Sequence, residues 1–169
     1  MLIAHLPAGY LLGRYAQDRQ KSQSSALMGA AILGNMVPDF DMLYFHFIDG
    51  RRTPHHDYIT HWPLFWLVVG AALLAATYLF RRGGVMLALL FFTGTMMHMI
   101  MDSVAAPIHW LAPLSNMSIE LVAVPASSEN WIISFVYHWT FLIEIAICVL
   151  AVSVFLTGKK TSLEKSGGM

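Results

Sequence analysis

The sequence predicts an all-α fold, a polytopic membrane helical bundle with about three full spans and two short N-terminal apolar helices. Two observations carry this prediction. Hydrophobic residues form 57% of the 169-residue chain and charged residues only 12%, whereas a soluble domain carries roughly 25% charged residues. From residue 63 onwards the chain also contains three long apolar runs, separated by turns and loops. We expect one membrane-embedded domain, 1–157, and a flexible polar tail, 158–169.

The N-terminal part holds two apolar stretches, 2–15 and 26–37. Each is shorter than the roughly 20 residues that a helix needs to cross the hydrocarbon core, so we expect two short helices here. Pro38 follows the second stretch, and proline interrupts a regular helix. The carboxylates of Asp39 and Asp41 are therefore expected at a helix end.

Three longer runs follow, at Pro63–Phe80, 85–101 and 131–157. The first would be about 27 Å long as a helix, close to the hydrocarbon thickness of about 30 Å. The third would reach about 40 Å, so we expect it to tilt or to project beyond the bilayer.

The third run contains one acidic residue, Glu144. Tyr137, Thr140 and Cys148 lie on the same helical stripe, which predicts that Glu144 faces the bundle interior, either paired or protonated. Cys148 is the only cysteine, so an internal disulfide is excluded, and we interpret it as a packing residue.

The basic residues divide between the two ends of the predicted helices. If the apolar segments alternate in direction, most basic residues lie on one face, which the positive-inside rule makes cytoplasmic. These residues are Arg14, Arg19, Lys21, Arg81, Arg82, Lys159, Lys160 and Lys165. The opposite face then points away from the cytoplasm. It holds His5, Arg51, Arg52 and most of the acidic and histidine residues.

Carboxylates and imidazoles are concentrated in the segment 38–61. It contains Asp39, Asp41, His46, Asp49, His55, His56, Asp57 and His61. These two ligand types together suit a divalent metal ion, with zinc expected first and manganese or iron where oxygen ligands predominate. His56 and His61 are the better candidate ligands, His55 is less certain, and His46 is more typical of packing. The alternative is a solvated interfacial loop whose histidines bind nothing.

His98 and Asp102 stand at the end of the run 85–101. A spacing of four places both side chains on one helical face, and ionisable groups in a membrane span are costly and usually functional. The pair therefore predicts a metal site, although a histidine paired with a helix-end aspartate would give the same pattern. His109 and His138 are further candidates on the outer face.

Four motifs in this order, LIAHLPAG, PDFD, HDYITH and HMIMD, resemble those of the YdjM-like family of bacterial inner-membrane metal-dependent hydrolases. The resemblance runs from His5 to about Pro113. The metal ligands that it implies are His5, Asp39, Asp41, His56, His61, His98 and Asp102. The family's middle motif usually reads His-Arg-Gly-x-Thr-His-Ser, whereas here Asp57 and Tyr58 replace Arg-Gly and Trp62 replaces Ser.

We therefore expect a membrane-bound metal-dependent hydrolase, acting at the outer surface on a phosphoester of a lipid or another amphiphile. Arg51 and Arg52 are candidates for orienting the anion, because a guanidinium binds phosphate bidentately. A plain charged turn, or pairing with Asp49 and Asp57, would also explain these arginines. Asp57 is the expected proton acceptor.

The alternative function is a non-enzymatic metal-binding or transport component of the membrane, which predicts ligands spread through the depth of the bilayer. A third interpretation has no metal and uses these groups only as interfacial polar residues. A net charge of zero gives no basic field for nucleic acid. The sequence contains no G-x-S-x-G and no P-loop motif, so serine-nucleophile and nucleoside-triphosphate chemistry lack support.

Overall fold

A computed structural model describes the backbone of residues 1–167 and the side chains of residues 1–158. The part of the chain that it describes is helical and contains no strand beyond one isolated bridge between Ile108 and Ile119. The helices are α1 His5–Arg19, α2 Ser25–Met36, α3 Asp41–Phe47, α4 Pro63–Phe80, α5 Val85–Asp102, α6 Trp131–Val136 and α7 Phe141–Gly167. The predicted all-α bundle is confirmed.

Three segments are long and apolar enough to cross a membrane: Pro63–Phe80, Arg82–Asp102 and Phe141–Gly158. The two N-terminal helices α1 and α2 are shorter, as the sequence predicts. The predicted tail, 158–169, lies almost entirely outside the described side chains, so its flexibility stays a prediction.

The run 131–157 is not one helix, which corrects the sequence prediction. It breaks at residues 137–140 into the short helix α6 and the spanning helix α7. The His138 Nδ1 and the Thr140 hydroxyl lie 2.9 Å apart and bond to each other at the break, and such local side-chain bonds compete with helical geometry. As a result Tyr137 is 86% exposed, whereas Thr140 and Glu144 are buried as the helical stripe predicts.

Helix α2 packs between α1 and α5, α4 packs on α5, and α7 packs on α1. The α2–α5 contact is close because glycines stand at the crossing. A Cβ on Gly34 would lie 2.1 Å from the Phe91 carbonyl oxygen, and one on Gly94 would lie 2.9 Å from that of Ala31. Only glycine allows this approach, which brings the end of α2 against His98.

One end of the bundle, which we call the ligand end, is where α1, α4 and α7 begin and where α2 and α5 finish. Side chains from these helices meet there: His5 contacts Asp102, and Glu144 contacts the residues before α1. The turn containing Arg81 and Arg82 joins the opposite ends of α4 and α5. The predicted convergence of the candidate ligands at one level is therefore present in the structure.

Candidate metal centre

Four side chains from three separate segments form the centre of the ligand end. Asp39 lies in a short 3-10 turn after α2, His61 in the 3-10 turn before α4, and His98 and Asp102 on the last turn of α5. One ligand atom from each lies within 4.8 Å of the others. We call these four residues the quartet.

The distances within the quartet fit a small divalent cation. His98 Nε2 lies 3.0 Å from Asp102 Oδ2 and 3.6 Å from Asp39 Oδ1, and His61 Nε2 lies 3.7 Å and 3.6 Å from the same two oxygens. Four ligands at about 2.0–2.1 Å from a tetrahedral zinc ion are separated by about 3.3 Å. The side chains are therefore already spaced as such a site requires.

Both histidines are oriented by a second contact. His98 Nδ1 donates to the Asn35 carbonyl at 2.8 Å, and His61 Nδ1 donates to Asp41 Oδ2 at 2.8 Å. Because a carbonyl and a carboxylate can only accept, the Nδ1 atoms carry the protons and the Nε2 atoms face the quartet. Such partners fix the tautomer and the ring orientation of metal-binding histidines.

The inward-facing atoms have no hydrogen-bond partner among the described residues. His61 Nε2, His98 Nε2 and Asp102 Oδ2 are buried and unpartnered. Buried polar atoms are normally satisfied, so three that converge on one point call for an absent partner. A metal ion is such a partner.

His5 and His56 extend the quartet. His5 Nε2 lies 3.1 Å from Asp102 Oδ1, and its ring stacks on His98 with 3.7 Å between the centroids. His56 Nε2 lies 3.8 Å from Asp102 Oδ2. The α-amino group of Met1 also contacts Asp102 Oδ1. Both predicted histidines are thus brought to the centre.

Asp41 is brought to the site but lies behind the quartet. Its carboxylate accepts hydrogen bonds from His61 at 2.8 Å, from His55 Nδ1 at 3.1 Å and from the Thr60 hydroxyl at 2.5 Å. Burial alone would raise the pKa of Asp41, but these bonds outweigh it and hold the pKa well below its usual range. The geometry indicates that this predicted ligand positions His61 and His55.

Burial and the neighbouring carboxylates shift the pKa values of His61 and His56 in opposite directions. Burial alone would lower the pKa of His61, but the neighbouring carboxylates of Asp39 and Asp41 raise it to about 9. In contrast, burial lowers the pKa of His56 to about 3. Without a cation, His61 therefore carries a proton that partly neutralises the cluster, while His56 is a neutral imidazole that can act as a ligand.

Glu144 fixes the segment that carries His5. Its carboxylate is fully buried and accepts the backbone N–H groups of Leu2 at 2.7 Å, Ile3 at 2.5 Å and Ala4 at 3.1 Å. The sequence predicts only that Glu144 faces inwards. Because the run breaks before Phe141, Glu144 lies in the first turn of α7, at the ligand end.

Asp57, the expected proton acceptor, is not part of the cluster. Its carboxylate faces His109, with 3.6 Å between Oδ1 and Nδ1. Successive residues of a 3-10 turn point about 120° apart, so the turn His55–Asp57 directs His56 inwards and Asp57 away. The sequence analysis undervalues His55, because its contact with Asp41, with 3.1 Å between Nδ1 and Oδ1, is visible only in the fold.

Arg51 and Arg52 lie on the wall of a cavity of about 700 Å³ that also touches Asp39, His55 and His56. Neither guanidinium forms an ion pair with a described side chain, and Asp49 instead accepts the backbone N–H groups of Arg52 and Thr53. Both of those bonds are 2.8 Å long. The structure therefore does not support the alternative in which Arg51 and Arg52 pair with Asp49 or Asp57.

His46 and His138 lie apart from the quartet. His46 is exposed and its Nδ1 bonds the Met42 carbonyl at 2.9 Å, while His138 bonds Thr140 at the helix break.

The chain belongs to the YdjM inner membrane protein family, whose family model matches residues 1–162. No curated protein and no solved structure matches the chain. The family and the three apolar spans together identify a membrane protein.

Proposed function

We propose that this member of the YdjM family is a membrane-bound metal-dependent hydrolase, acting at the outer surface of the inner membrane on a phosphoester of a lipid or another amphiphile. The quartet carries the proposal, because its unpartnered buried atoms belong to residues that other contacts already hold in place. Imidazole and carboxylate ligands favour zinc, with manganese or iron as alternatives. His5 and His56 complete the ligand set.

A divalent cation held there would supply Lewis-acid activation of water and of the scissile group. The remaining functions fall to the chain itself. Arg51 and Arg52 would bind and orient the anionic group from the cavity wall, because unpaired guanidinium groups offer paired donors to phosphate oxygens.

His55 is the proton acceptor that the geometry favours in place of Asp57. Asp41 Oδ1 holds its Nδ1–H at 3.1 Å, which leaves Nε2 facing Asp39 Oδ1, 3.9 Å away. His55 also lies on the cavity wall. An imidazole fixed by a carboxylate on one side and open to the substrate on the other is suited to general base catalysis.

The arrangement favours a surface enzyme over a transport component. The ligands lie together at one end of the bundle, and Glu144 bonds to backbone N–H groups beside them. A transport pathway would need further polar groups along the spans.

The first test is elemental analysis of protein purified in detergent without chelator and supplied with zinc or manganese. We expect at least one divalent ion per chain in the wild type and its loss in His61→Ala and His98→Ala. His46→Ala, which removes an exposed histidine away from the quartet, should keep the metal. A wild-type protein free of metal would overturn the proposal.

The second test separates a hydrolase from a binding protein. Metal-loaded protein is assayed on chromogenic phosphate monoesters, phosphate diesters and carboxyl esters, with and without chelator. We expect chelator-sensitive turnover on a phosphoester. Bound metal without turnover on any of these compounds would favour the non-enzymatic alternative.

A further inference from the structure

The cavity beside the quartet has two chemically different walls. Residues 39–56 contribute its charged and imidazole side chains, which we call the polar wall, together with the apolar Met42 and Phe45. The polar wall contains Asp39, Arg51, Arg52, His55 and His56. A second set of lining residues, which we call the apolar wall, comes from the loop after α5 and from α6 and is almost entirely apolar. A volume of about 700 Å³ lies within the range of roughly 300–1,000 Å³ that is typical of small-ligand sites.

The apolar wall is built by the segment that the hydropathy pattern assigns to the last span. The break at residues 137–140 frees α6 from α7, so that Trp131 and Phe135 line the cavity together with Pro107, Val124 and Pro125. Phe135 is buried and packs on Phe141, with 5.8 Å between the ring centroids. Trp131 also lines the cavity and is 62% exposed.

The polar wall is held in an uncommon backbone conformation. Gly50 and Arg51 have φ angles of 63° and 64°. The left-handed region is unfavourable for a residue that carries a side chain, and such conformations persist where the surroundings enforce them. The surroundings here are the Asp49 carboxylate, which holds the next two N–H groups, and the Phe45 carbonyl, which accepts from Arg51 N at 3.0 Å.

We propose that this cavity binds an amphiphile in one orientation, with an anionic phosphoryl head on the arginine wall and an alkyl chain against Trp131 and Phe135. The inference rests on the proposed function for the phosphoester head, and it adds the residues that select the chain. A small polar phosphate bound by the unpaired guanidinium groups would leave the apolar wall of the same cavity in contact with water. A ligand with both a charged end and a hydrocarbon end satisfies both walls.

The test measures the binding of alkylphosphonates, which no phosphoesterase hydrolyses. Metal-loaded protein in phosphatidylcholine nanodiscs is titrated calorimetrically with ethylphosphonate and dodecylphosphonate. The variant is Trp131→Ala, and the control is Trp139→Ala, which removes an exposed tryptophan that does not line the cavity. Partition of the ligand into the bilayer is the same for the wild type and for every variant, so it cancels when their affinities are compared.

We expect Trp131→Ala to weaken dodecylphosphonate binding about tenfold, as truncation of an aromatic anchor does, and to leave ethylphosphonate binding unchanged. Trp139→Ala should match the wild type with both ligands. Arg51→Ala should weaken both ligands by the same factor. An equal loss for both chain lengths in Trp131→Ala, or no loss for either, would overturn the orientation.

The result is separable from the test of hydrolysis. Chain-length-dependent binding in a protein without turnover would support the cavity assignment and reject the hydrolase. Turnover with no effect of Trp131→Ala on dodecylphosphonate binding would support the hydrolase and reject the cavity assignment.

Discussion

Glu144→Gln is the substitution that best tests how the last span supports the metal centre. In the wild type one carboxylate oxygen accepts the N–H of Leu2, and the other accepts those of Ile3 and Ala4. Glutamine has nearly the same shape but only one accepting oxygen. If that oxygen keeps Ile3 and Ala4, the new amide group faces the Leu2 N–H, and two donors oppose each other.

The size of the effect follows from these three bonds. A hydrogen bond to a charged group contributes about 1.5–3 kcal/mol and a neutral one about 0.5–1.5 kcal/mol. One lost charged bond and two that weaken by about 1–1.5 kcal/mol each therefore amount to about 3.5–6 kcal/mol of local anchoring. Since the anchored segment leads directly to His5, we expect metal affinity to fall about 10- to 100-fold, as when other supporting residues of metal ligands are changed.

The assay is competitive metal titration of detergent-purified protein, with thermal unfolding followed in parallel. Glu129→Gln is the matched control, because it removes the same charge from an exposed loop position and should leave both measurements unchanged. In a His5→Ala background, Glu144→Gln should cost little further metal affinity. If Glu144→Gln lowers metal affinity in the His5→Ala background as much as it does alone, the coupling through His5 is refuted. Wild-type metal affinity in Glu144→Gln alone would refute it as well.

Three further predictions address the chemistry and the topology. His55→Gln should keep the bound metal but lower turnover at least about 100-fold; loss of metal from this variant, measured by elemental analysis, would make His55 a ligand instead. Metal affinity should rise up to about tenfold per pH unit as the pH increases towards 9, because the cation must displace the proton that the carboxylates hold on His61. A pH-independent affinity in competition titrations would contradict this. Gly83→Cys, at an open position in the turn after α4, should resist a membrane-impermeant thiol label in whole cells. Ser118→Cys, in the exposed loop after α5, should react with the same label. The opposite pattern would show that the predicted orientation in the membrane is wrong.

The sequence predicts His98 and Asp102 well because they stand on one uninterrupted helix. A spacing of four on such a helix fixes their common face, and the structure has them 3.0 Å apart. Their convergence with Asp39 and His61 is also predictable, since helices of alternating direction bring the ends of these segments to one level. The resemblance adds His5, which no local pattern singles out.

The roles within the ligand set are not predictable in the same way. Asp39 and Asp41 are two residues apart and chemically identical. Asp39 nevertheless belongs to the quartet, whereas Asp41 bonds to His61 Nδ1, on the side of the ring away from the quartet. That difference depends on the dihedral angles of a 3-10 turn, which composition and spacing do not encode. The break before α7 falls on residues 137–140, the most polar part of the run 131–157. The sequence prediction treats that run as one helix and passes over this signal, while the bond between His138 and Thr140 is visible only in the fold.

Four carboxylates lie at the ligand end of a bundle that is otherwise poor in charge, and burying each without compensation would cost several kcal/mol. Glu144 is satisfied by three backbone N–H groups, and Asp41 by two imidazoles and a hydroxyl. Asp39 and Asp102 instead share the face of the quartet, where Asp102 Oδ2 has no hydrogen-bond partner among the described residues. The positive charges beside these two carboxylates are the proton on His61 and the α-amino group of Met1, which contacts Asp102 Oδ1. A divalent cation would bring two positive charges to these carboxylates and release that proton. The features that suit the quartet to a metal would therefore also make the metal-free bundle the less stable one, which would link metal binding to folding at this end of the protein.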